Sequence, residues 1–281
     1  IKESFSASDA EICSGEDITF TYLRMNSINN YQWDFIGYTD NVKPPDAPLG
    51  TFVKNFVNQS WAPMPVNVRL ITTNLHPTGC PQEKIVPLTI NPEVTAGFNW
   101  VGDSPNGCNP LDVTFTNTTI FTGGGVFNGT YYWDFGDGTT STEVNPTHQF
   151  LNDDPDIPVT YTVRLTATSV HGCVHEFEDF ITVQPRLNAG FSIEQPDICV
   201  PNFLITPSSP GATSYNWDFG ALTPIPAPPV TGIPFTVTLN PTHPDNPTTD
   251  VITLTVQNAL GCSAIATRDI TIQPFIVPIF T

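Results

Sequence analysis

The sequence predicts an all-β chain built of three tandem β-sandwich domains arranged as a rod. A tryptophan motif recurs three times, and alternating apolar and polar runs rich in β-branched residues recur throughout. No window shows a convincing apolar period of 3.6 residues, whereas a period of two is typical of half-buried strands. About seven short strands per repeat, separated by turn residues, favour sandwiches of Greek-key type.

The repeat has a period of about ninety residues. Four phenylalanines start equivalent strands and stand 93, 93 and 89 positions apart: Phe5, Phe98, Phe191 and Phe280. This period exceeds the roughly 20–50 residues of solenoid units, so each copy can bury its own core. The predicted domains are residues 1–92, 93–185 and 186–275, hereafter the first, second and third repeats. Residues 276–281 match the start of a further repeat, which predicts a segment of a longer array.

Equivalent strands are predicted in each repeat. One alternating run follows the first cysteine, at 17–22, 112–116 and 202–206. Another precedes a Gly-Cys pair and the last strand, at 66–70, 161–165 and 251–255, and the last strand is clearest at 180–183. Loops differ between repeats at 38–60, 121–130 and 224–229, which predicts contacts with neighbours or drift of unused surface.

The joints between repeats are predicted to be short and stiff. Proline stands at each junction, Pro92 and Pro185, where it fixes φ and biases the preceding residue toward extended geometry. Three sandwiches in series then predict a rod of about 100 Å.

Six cysteines supply one pair per repeat. The pairs predicted from their spacings of 67, 65 and 63 positions are Cys13 with Cys80, Cys108 with Cys173, and Cys199 with Cys262. A separation that recurs in each unit predicts disulfides inside each domain, and disulfides persist in oxidising compartments. Each would stabilise its domain by roughly 4 kcal/mol. Three pairs of buried free thiols are the alternative interpretation.

The chain is acidic, with nine Lys and Arg against 27 Asp and Glu and a net charge of −18. Such a charge repels phosphate backbones and anionic membrane surfaces, so nucleic acid is not expected as a partner. No apolar run approaches the roughly 18 residues of a membrane span, and no membrane insertion is expected in this segment. Few residues are charged overall, whereas Thr, Asn, Pro and Gly are abundant. This composition is typical of an exported protein that is secreted or lies at the cell surface.

The tryptophan motif itself has a structural interpretation. It reads Trp-Asp-Phe at 33–35, 133–135 and 217–219. Residues two apart face the same side of a strand, which places three tryptophans in the core: Trp33, Trp133 and Trp217. The intervening carboxylates then face the other side and can accept from main-chain N–H groups: Asp34, Asp134 and Asp218. Gly136 and Gly138 supply positive φ for a tight connection in the second repeat.

The motif at 133–138, followed by Ser141, residues 145–148 and Phe150, resembles the PKD domain, the polycystic-kidney-disease repeat. With its paired cysteines and Thr-rich strands, the chain is similar to PKD-type repeats of very large exported proteins of the Bacteroidota. These include gliding and adhesion proteins of the type IX secretion route. The resemblance implies Ig-like sandwiches and an extracellular location. The first and third repeats depart from it, because they lack Gly-Asp-Gly after the motif.

Two functions follow from this resemblance. One is structural and adhesive: a stalk or filament segment of a bacterial surface appendage or giant adhesin. Its partners would be neighbouring repeats, further copies in a homo-oligomeric fibre, or a glycan on a host or prey cell. The alternative is a carbohydrate- or protein-binding accessory module of a secreted hydrolase, in which Trp61 and Trp100 could stack on sugars or fill gaps between domains.

No enzyme is predicted, and calcium is the one candidate cofactor. The sequence shows no phosphate-cradling glycine loop, zincin helix or distinctive carboxylate pair. Oxygen ligands for calcium are predicted at Asp112, Asp134 and Asp137, although their spacing is not that of an EF-hand loop. A second acidic cluster, at 153–156, is a metal candidate or a solvated loop. His171, Cys173 and His175 alternate at a spacing that a transition metal can use, but Cys173 is a predicted disulfide partner.

Overall fold

The computed structural model describes residues 4–23, 28–39, 51–74, 81–103, 107–154, 156–195, 200–240 and 246–273. All 23 elements in these ranges are β-strands, which confirms the all-β prediction. The described part of the chain contains no helix long and apolar enough to cross a membrane. The residues matched to a further repeat, 276–281, lie outside these ranges.

The described residues of the first repeat contribute seven strands to two sheets. The sheet orders are β1-β3-β5 and β2-β7-β6-β4. The strands are β1 (Ser4–Ala7), β2 (Glu11–Cys13), β3 (Asp17–Leu23), β4 (Ile28–Ile36), β5 (Thr51–Asn55), β6 (Met64–Asn74) and β7 (Gln82–Asn91). Strand β2 runs parallel to the end of β7, with Cys13 opposite Asn91, whereas the β4–β6 and β6–β7 pairs are antiparallel.

In the part of the second repeat that the structure describes, ten strands form three sheets. The orders are β15-β10-β9, β14-β13-β16-β17 and β12-β11-β8. The strands are β8 (Val94–Thr95), β9 (Phe98–Gly102), β10 (Leu111–Asn117), β11 (Ile120–Phe121), β12 (Gly125–Val126), β13 (Gly129–Asp134), β14 (Thr140–Ser141), β15 (Thr147–Phe150), β16 (Val159–Ser169) and β17 (Val174–Val183). The smallest sheet recruits residues 94–95, directly after the junction proline.

The third repeat contributes six described strands to two sheets, ordered β18-β19-β21 and β20-β22-β23. The strands are β18 (Phe191–Glu194), β19 (Asn202–Pro207), β20 (Ser214–Asp218), β21 (Phe235–Thr238), β22 (Thr248–Gln257) and β23 (Ser263–Ile272). Every sheet thus draws its strands from one predicted repeat, as expected of tandem β-sandwiches.

The alternating runs form the strands that their period predicted. The run after the first cysteine lies within β3, β10 and β19, and the later run lies within β6, β16 and β22. In β10 the side chains of Leu111, Val113 and Phe115 are buried, and the residues between them are exposed. Because successive strand residues face opposite sides, this alternation buries one apolar face per sheet.

Two of the three motif tryptophans lie deep in the core. Trp133 is fully buried and Trp33 nearly so, and Trp133 packs against Phe98 and Phe115 with ring centroids 5.0 and 5.3 Å apart. Trp217 is only half-buried and packs on the edge of the third core, whereas Tyr215, two residues earlier, is buried. The core prediction is therefore confirmed for Trp33 and Trp133, while Trp217 lines the margin of its core.

The chain forms two compact units. One consists of residues 1–100, 114–146 and 162–180, and the other of residues 101–113, 147–161 and 181–281. Each unit contains one junction between consecutive repeats and one disulfide bond. The predicted rod and the predicted domain boundaries remain predictions.

Candidate functional site at the repeat junctions

The described cysteines pair between repeats, not within them. Cys13 is bonded to Cys173, and Cys108 is bonded to Cys262, at sequence separations of 160 and 154. The predicted pairs Cys13–Cys80, Cys108–Cys173 and Cys199–Cys262 are therefore wrong, because at least one partner in each is bonded elsewhere. Cys80 and Cys199 themselves lie outside the described residues.

The last strand of the second repeat explains why the two cysteines of that repeat do not bond to each other. Gly107 accepts a hydrogen bond from the N–H of Gln184, just after β17 ends, so Cys108 lies near that end. Cys173 immediately precedes β17, which has ten residues. Ten extended residues span about 33 Å, whereas a disulfide requires Cα atoms about 5.5–6 Å apart. In the second repeat, Cys108 thus lies at the trailing end of β17, and Cys173 lies at its leading end.

The hairpin turns that hold Cys173 and Cys262 have the same hydrogen-bond geometry. In the second repeat the N–H of Ser169 donates to the carbonyl of Cys173 at 2.8 Å, and Ser169 Oγ accepts from the N–H of Cys173 at 3.1 Å. In the third repeat Asn258 makes the same two bonds to Cys262, both at 3.0 Å. Gly172 and Gly261 adopt positive φ in these turns, which glycine does without strain.

A buried asparagine fixes the loop beside each first cysteine, and sequence reasoning missed it. Asn58 donates from Nδ2 to the carbonyls of Ala62 and Ile90, both at 2.8 Å. Asn152 donates from Nδ2 to the carbonyls of Ile157 and Val183, at 2.9 and 3.0 Å. Each is 1% exposed, and each amide oxygen accepts from the N–H two residues later.

The backbone N–H of each asparagine is bonded to the residue after the first cysteine. Asn58 donates to Ser14 Oγ at 2.9 Å, and Asn152 donates to Asn109 Oδ1 at 3.0 Å. The loop, the end of the last strand and the cysteine are therefore fixed to one another. The recurrence of Asn at equivalent positions was the available sequence signal, but polar residues in Pro-rich loops are usually exposed.

An apolar cluster surrounds the disulfide of the first junction. Its buried members, all in the second repeat, are Val94, Ala96, Phe121, Phe127, Ala167 and Cys173, and Cys13 and Tyr131 pack against them. Phe121 and Tyr131 both contact the ring of Phe127, with centroids 5.3 Å away. Burial raises the pKa of the Tyr131 hydroxyl. The disulfide therefore lies in an apolar environment formed by the excursion at 120–127.

The segment after the first junction proline belongs to this excursion. Val94 and Thr95 pair with Phe121 and Ile120 in the β8–β11 ladder, and the N–H of Thr122 donates to the carbonyl of Glu93 at 2.9 Å. The N–H of Ala96 donates to His175 Nδ1 at 3.1 Å. Residues 93–96 are thereby held by hydrogen bonds to the second repeat, while the stiffness of the joint stays a prediction.

Trp61 contacts the excursion from the first repeat. A methyl group added at Gly125 would lie 3.0 Å from Trp61 Cγ, and one added at Gly123 would lie 2.8 Å from the carbonyl oxygen of Gln59. Trp61 nevertheless keeps 62% of its surface exposed. The glycines at 123–125 thus allow residues 59–61 of the first repeat to approach closely.

The second junction contains both polar and apolar side chains. Asn109 Nδ2 donates to the carbonyl of Asn152 at 2.8 Å, beside Cys108. A cavity of about 320 Å³ lies next to the hairpin turn of Cys262, lined by Asp156, Arg186, Asn188 and Asn258 among others. The two junctions therefore share a disulfide and a hairpin turn but differ in the chemistry around them.

The motif carboxylates make local contacts, as predicted for their exposed side of the strand. Asp134 and Asp218 accept from the N–H groups of Gly136 and Gly220, both at 2.9 Å, and Gly136 and Gly138 have positive φ. Asp34 differs because it accepts from Gln32 Nε2 at 2.9 Å and from Arg69 Nε at 3.0 Å. The hydrogen bond from Gln32, followed by that from Arg69, lowers the pKa of the Asp34 carboxyl.

The structure does not assemble the predicted metal ligands. Among the described residues, no three His, Cys, Asp or Glu side chains form a group that could hold a metal ion. Asp137 instead accepts from the N–H and hydroxyl of Thr139, at 2.9 and 2.6 Å. Asp112 accepts from Gln149 Nε2 at 2.9 Å. The predicted calcium site of Asp112, Asp134 and Asp137 is therefore not formed, because local donors occupy the carboxylates separately.

The other two metal candidates are likewise explained by local bonding. Asp154 Oδ1 accepts from the N–H groups of Asp156 and Ile157, both at 2.9 Å, and these bonds lower its pKa. Cys173 is in a disulfide, and His175 accepts from Ala96. Trp100, the second candidate sugar platform, is half-buried, and its Nε1 donates to Asp179 at 2.9 Å.

The comparison of sequences identifies a family match and one relative. Residues 99–185 match the sequence model of the PKD domain. Over 91 residues the chain is 35% identical to collagenase ColA of Bacillus cereus, a match that covers 31% of this chain and 9% of the collagenase. The chain therefore corresponds to a small part of that relative.

Solved structures give the same kind of match. The PKD1 domain of the Vibrio cholerae metalloprotease PrtV is 28% identical, covering 33% of this chain and 98% of that chain with a TM-score of 0.26. Three N-terminal domains of the outer capsid protein Hoc of bacteriophage RB49 are 14% identical, covering 99% of each chain with a TM-score of 0.32. The match to the PKD family model lies within the second repeat.

Proposed function

We propose that this chain is an extracellular structural and adhesive protein, a segment of a stalk or filament built from PKD-like repeats of a bacterial surface appendage or giant adhesin. The observation that carries the proposal is the cross-repeat pairing of Cys13 with Cys173 and of Cys108 with Cys262. A disulfide between repeats is not needed to fold either one. Its mechanical consequence is that tension across the joint passes through a covalent bond as well as through the linker.

The contacts around the bonds support the same role. Asn58 and Asn152 fix the trailing end of each repeat, and Ser169 and Asn258 fix the leading hairpin of the next. Both attachment points of each disulfide are thus rigid, which limits bending at the joint. A protein that only displayed a binding site would gain little from this, whereas a load-bearing array gains stiffness.

Export follows from the disulfides and the similarity to PKD domains. Stable disulfides are typical of secreted and cell-surface proteins, and the matched relatives are a collagenase and a metalloprotease domain. We further propose that the protein is secreted by the type IX route in a member of the Bacteroidota. The proposed partners are neighbouring repeats, further copies in a fibre, and a glycan on a host or prey cell.

Electron microscopy of the native protein outside the cell tests the structural role. We expect thin rods or fibres with an axial spacing of about 30–35 Å per repeat, which is the length of a ten-residue strand. Negative-stain images in which these repeats form part of a compact particle beside a large globular domain would contradict it.

An accessory module of a secreted hydrolase is the second candidate, and the match to collagenase ColA favours it. Under this alternative the exposed face of Trp61 would contact substrate. Co-sedimentation with insoluble collagen and chitin distinguishes the two: the structural proposal expects no Trp61-dependent binding. Retention that is lost in Trp61→Ala but kept in Phe180→Ala, another aromatic residue with 60% of its surface exposed, would support the module.

A further inference from the structure

The two junctions differ in the loop that lies beside the residues after the junction proline. Thr119 and Ser209 start this loop at equivalent positions, because the hydroxyl of each accepts from a glycine N–H, at 3.4 and 3.0 Å. The loop then runs for nine residues, 120–128, to β13 in the second repeat, but for only four residues, 210–213, to β20 in the third. The third repeat therefore lacks the excursion that covers the first junction.

The residues around the junction proline are less covered at the second junction. Four positions that are buried at the first junction are only half-buried at the second. They are Asn91, Pro92, Val94 and Ala96, which correspond to Gln184, Pro185, Leu187 and Ala189. The cavity of about 320 Å³ lies against residues 184–188 and is also lined by Pro210 and Gly211 of the short loop. It corresponds to the space that the excursion fills at the first junction.

The main chain at the second junction is available to pair with a strand. At the first junction, residues 94–95 pair with residues 120–121 in the β8–β11 ladder. The N–H of Thr122 also donates to the carbonyl of Glu93 at 2.9 Å. The equivalent residues 186–188 form no main-chain hydrogen bond within the part of the chain that the structure describes. Unpaired N–H and C=O groups of an extended segment are a template for strand addition.

We propose that the second junction binds an extended peptide of a partner protein, which adds as an antiparallel strand to residues 186–188. The register of the first junction places one peptide residue opposite Leu187, as Phe121 lies opposite Val94, and the next opposite Arg186. Leu187 packs against the core of the third repeat and offers apolar surface. The peptide residue opposite it is therefore apolar. This binding site goes beyond the proposed structural role and does not depend on it.

The residue opposite Arg186 is acidic. At the first junction this position is Glu93, whose carboxylate accepts from the hydroxyl of Thr122 at 3.1 Å. Arg186 replaces it with a positive charge that is exposed and, among the described residues, forms no ion pair, although Asp156 lines the same cavity. A peptide is favoured over a glycan because the described lining residues include no aromatic ring on which a sugar could stack.

The test uses the whole 281-residue chain with its disulfides intact and a fluorescently labelled peptide of sequence Ser-Thr-Phe-Glu-Thr-Ser. We expect saturable binding by fluorescence anisotropy and amide chemical-shift changes centred on residues 186–188. Arg186→Glu should weaken binding at least about tenfold, because like charges then face each other. A peptide with Lys in place of Glu should recover binding to this variant. The control Arg268→Glu makes the same charge change at an exposed residue of β23, outside the cavity, and should keep the affinity of the parent chain.

Methylation of the peptide main chain tests strand pairing without altering the protein. The bond equivalent to that between Thr122 and Glu93 requires the N–H of the peptide Glu, whereas the N–H of the adjacent Phe points away, since successive N–H groups of a strand point to opposite sides. N-methylation at Glu should therefore abolish binding, and N-methylation at Phe should preserve it. Absence of saturable binding, equal loss with both methylated peptides, or binding unchanged by Arg186→Glu would overturn the proposal. So would an oligosaccharide that shifts residues 186–188 when the peptide does not.

Discussion

A single buried amide, that of Asn152, connects three parts of the second repeat. Its side chain bonds the carbonyls of Ile157 and Val183 and the N–H of Asp154. A buried polar group that loses its partner costs about 1–3 kcal/mol. The side chain therefore stabilises the trailing end of β17, where Cys108 is attached to the next repeat.

We expect Asn152→Ala to destabilise the second repeat by about 2–3 kcal/mol, because buried main-chain groups would lose their partners. Urea unfolding measures the change in the free energy of unfolding. Hydrogen exchange in peptides covering 174–183 measures the protection of β17. The control Asn99→Ala changes an exposed amide and should stay within about 0.5 kcal/mol of the parent chain. Equal effects of the two substitutions would contradict a specific role for Asn152.

The pKa of Asp34 predicts an acid-sensitive first repeat. Hydrogen bonds from Gln32 and Arg69 lower this pKa below the ordinary value of an aspartate carboxyl, so the folded state prefers the charged carboxylate. The stabilisation is present above the unfolded pKa and is lost as pH falls through the folded value. Asp34→Asn should therefore destabilise the repeat at about pH 6 and have a smaller effect near pH 2–3. Thermal unfolding of both chains across this range checks it, and a pH-independent difference would contradict it.

At the level of elements, the features that the sequence predicted are those set by neighbouring residues on one strand. The alternation of apolar and polar residues predicted β10 and the equivalent strands of the other repeats. The two-residue spacing within the tryptophan motif predicted that Trp33 and Trp133 lie in the core. Cysteine pairing could not be read in this way. With a period near 93, pairing across repeats also recurs at nearly constant separation, 160 and 154. The parallel pairing of β2 with the end of β7, which places Cys13 opposite Asn91, carries no sequence pattern.

Strands β11 and β12 shield the first disulfide, so we expect Phe121→Ala to expose it. Phe121 is 4% exposed in the cluster that contains Cys173, and removing a buried Phe costs about 3 kcal/mol or more. If that loss opens the excursion, Cys13–Cys173 should be reduced by dithiothreitol about tenfold faster or more. Cys108–Cys262 in the same molecule is the internal control and should keep its rate, as should both bonds in Phe180→Ala. Equal acceleration of both bonds would indicate general unfolding instead.

Across the whole molecule, the two disulfides overlap along the chain and determine which residues bear load. Between Cys13 and Cys262, the shortest covalent path crosses to Cys173, returns along the chain to Cys108 and crosses again. The only peptide segment on this path is the 65 positions from 108 to 173. When the chain is unfolded and stretched, the force is therefore carried by the 108–173 segment of the second repeat. The path runs through this segment from its C-terminal end to its N-terminal end.

Single-molecule stretching between the chain ends, in a background lacking Cys80 and Cys199, tests this topology. At about 3.5 Å per residue, the oxidised chain should extend by no more than about 230 Å between Cys13 and Cys262, against about 870 Å after reduction. A 20-residue flexible insertion after Gly124 should add about 70 Å to the oxidised limit. The same insertion after Val230 should add nothing, since it lies off the shortest path. Pairing within repeats predicts no gain from the insertion after Gly124, because Cys108–Cys173 would then bypass it, so the two connectivities give opposite results.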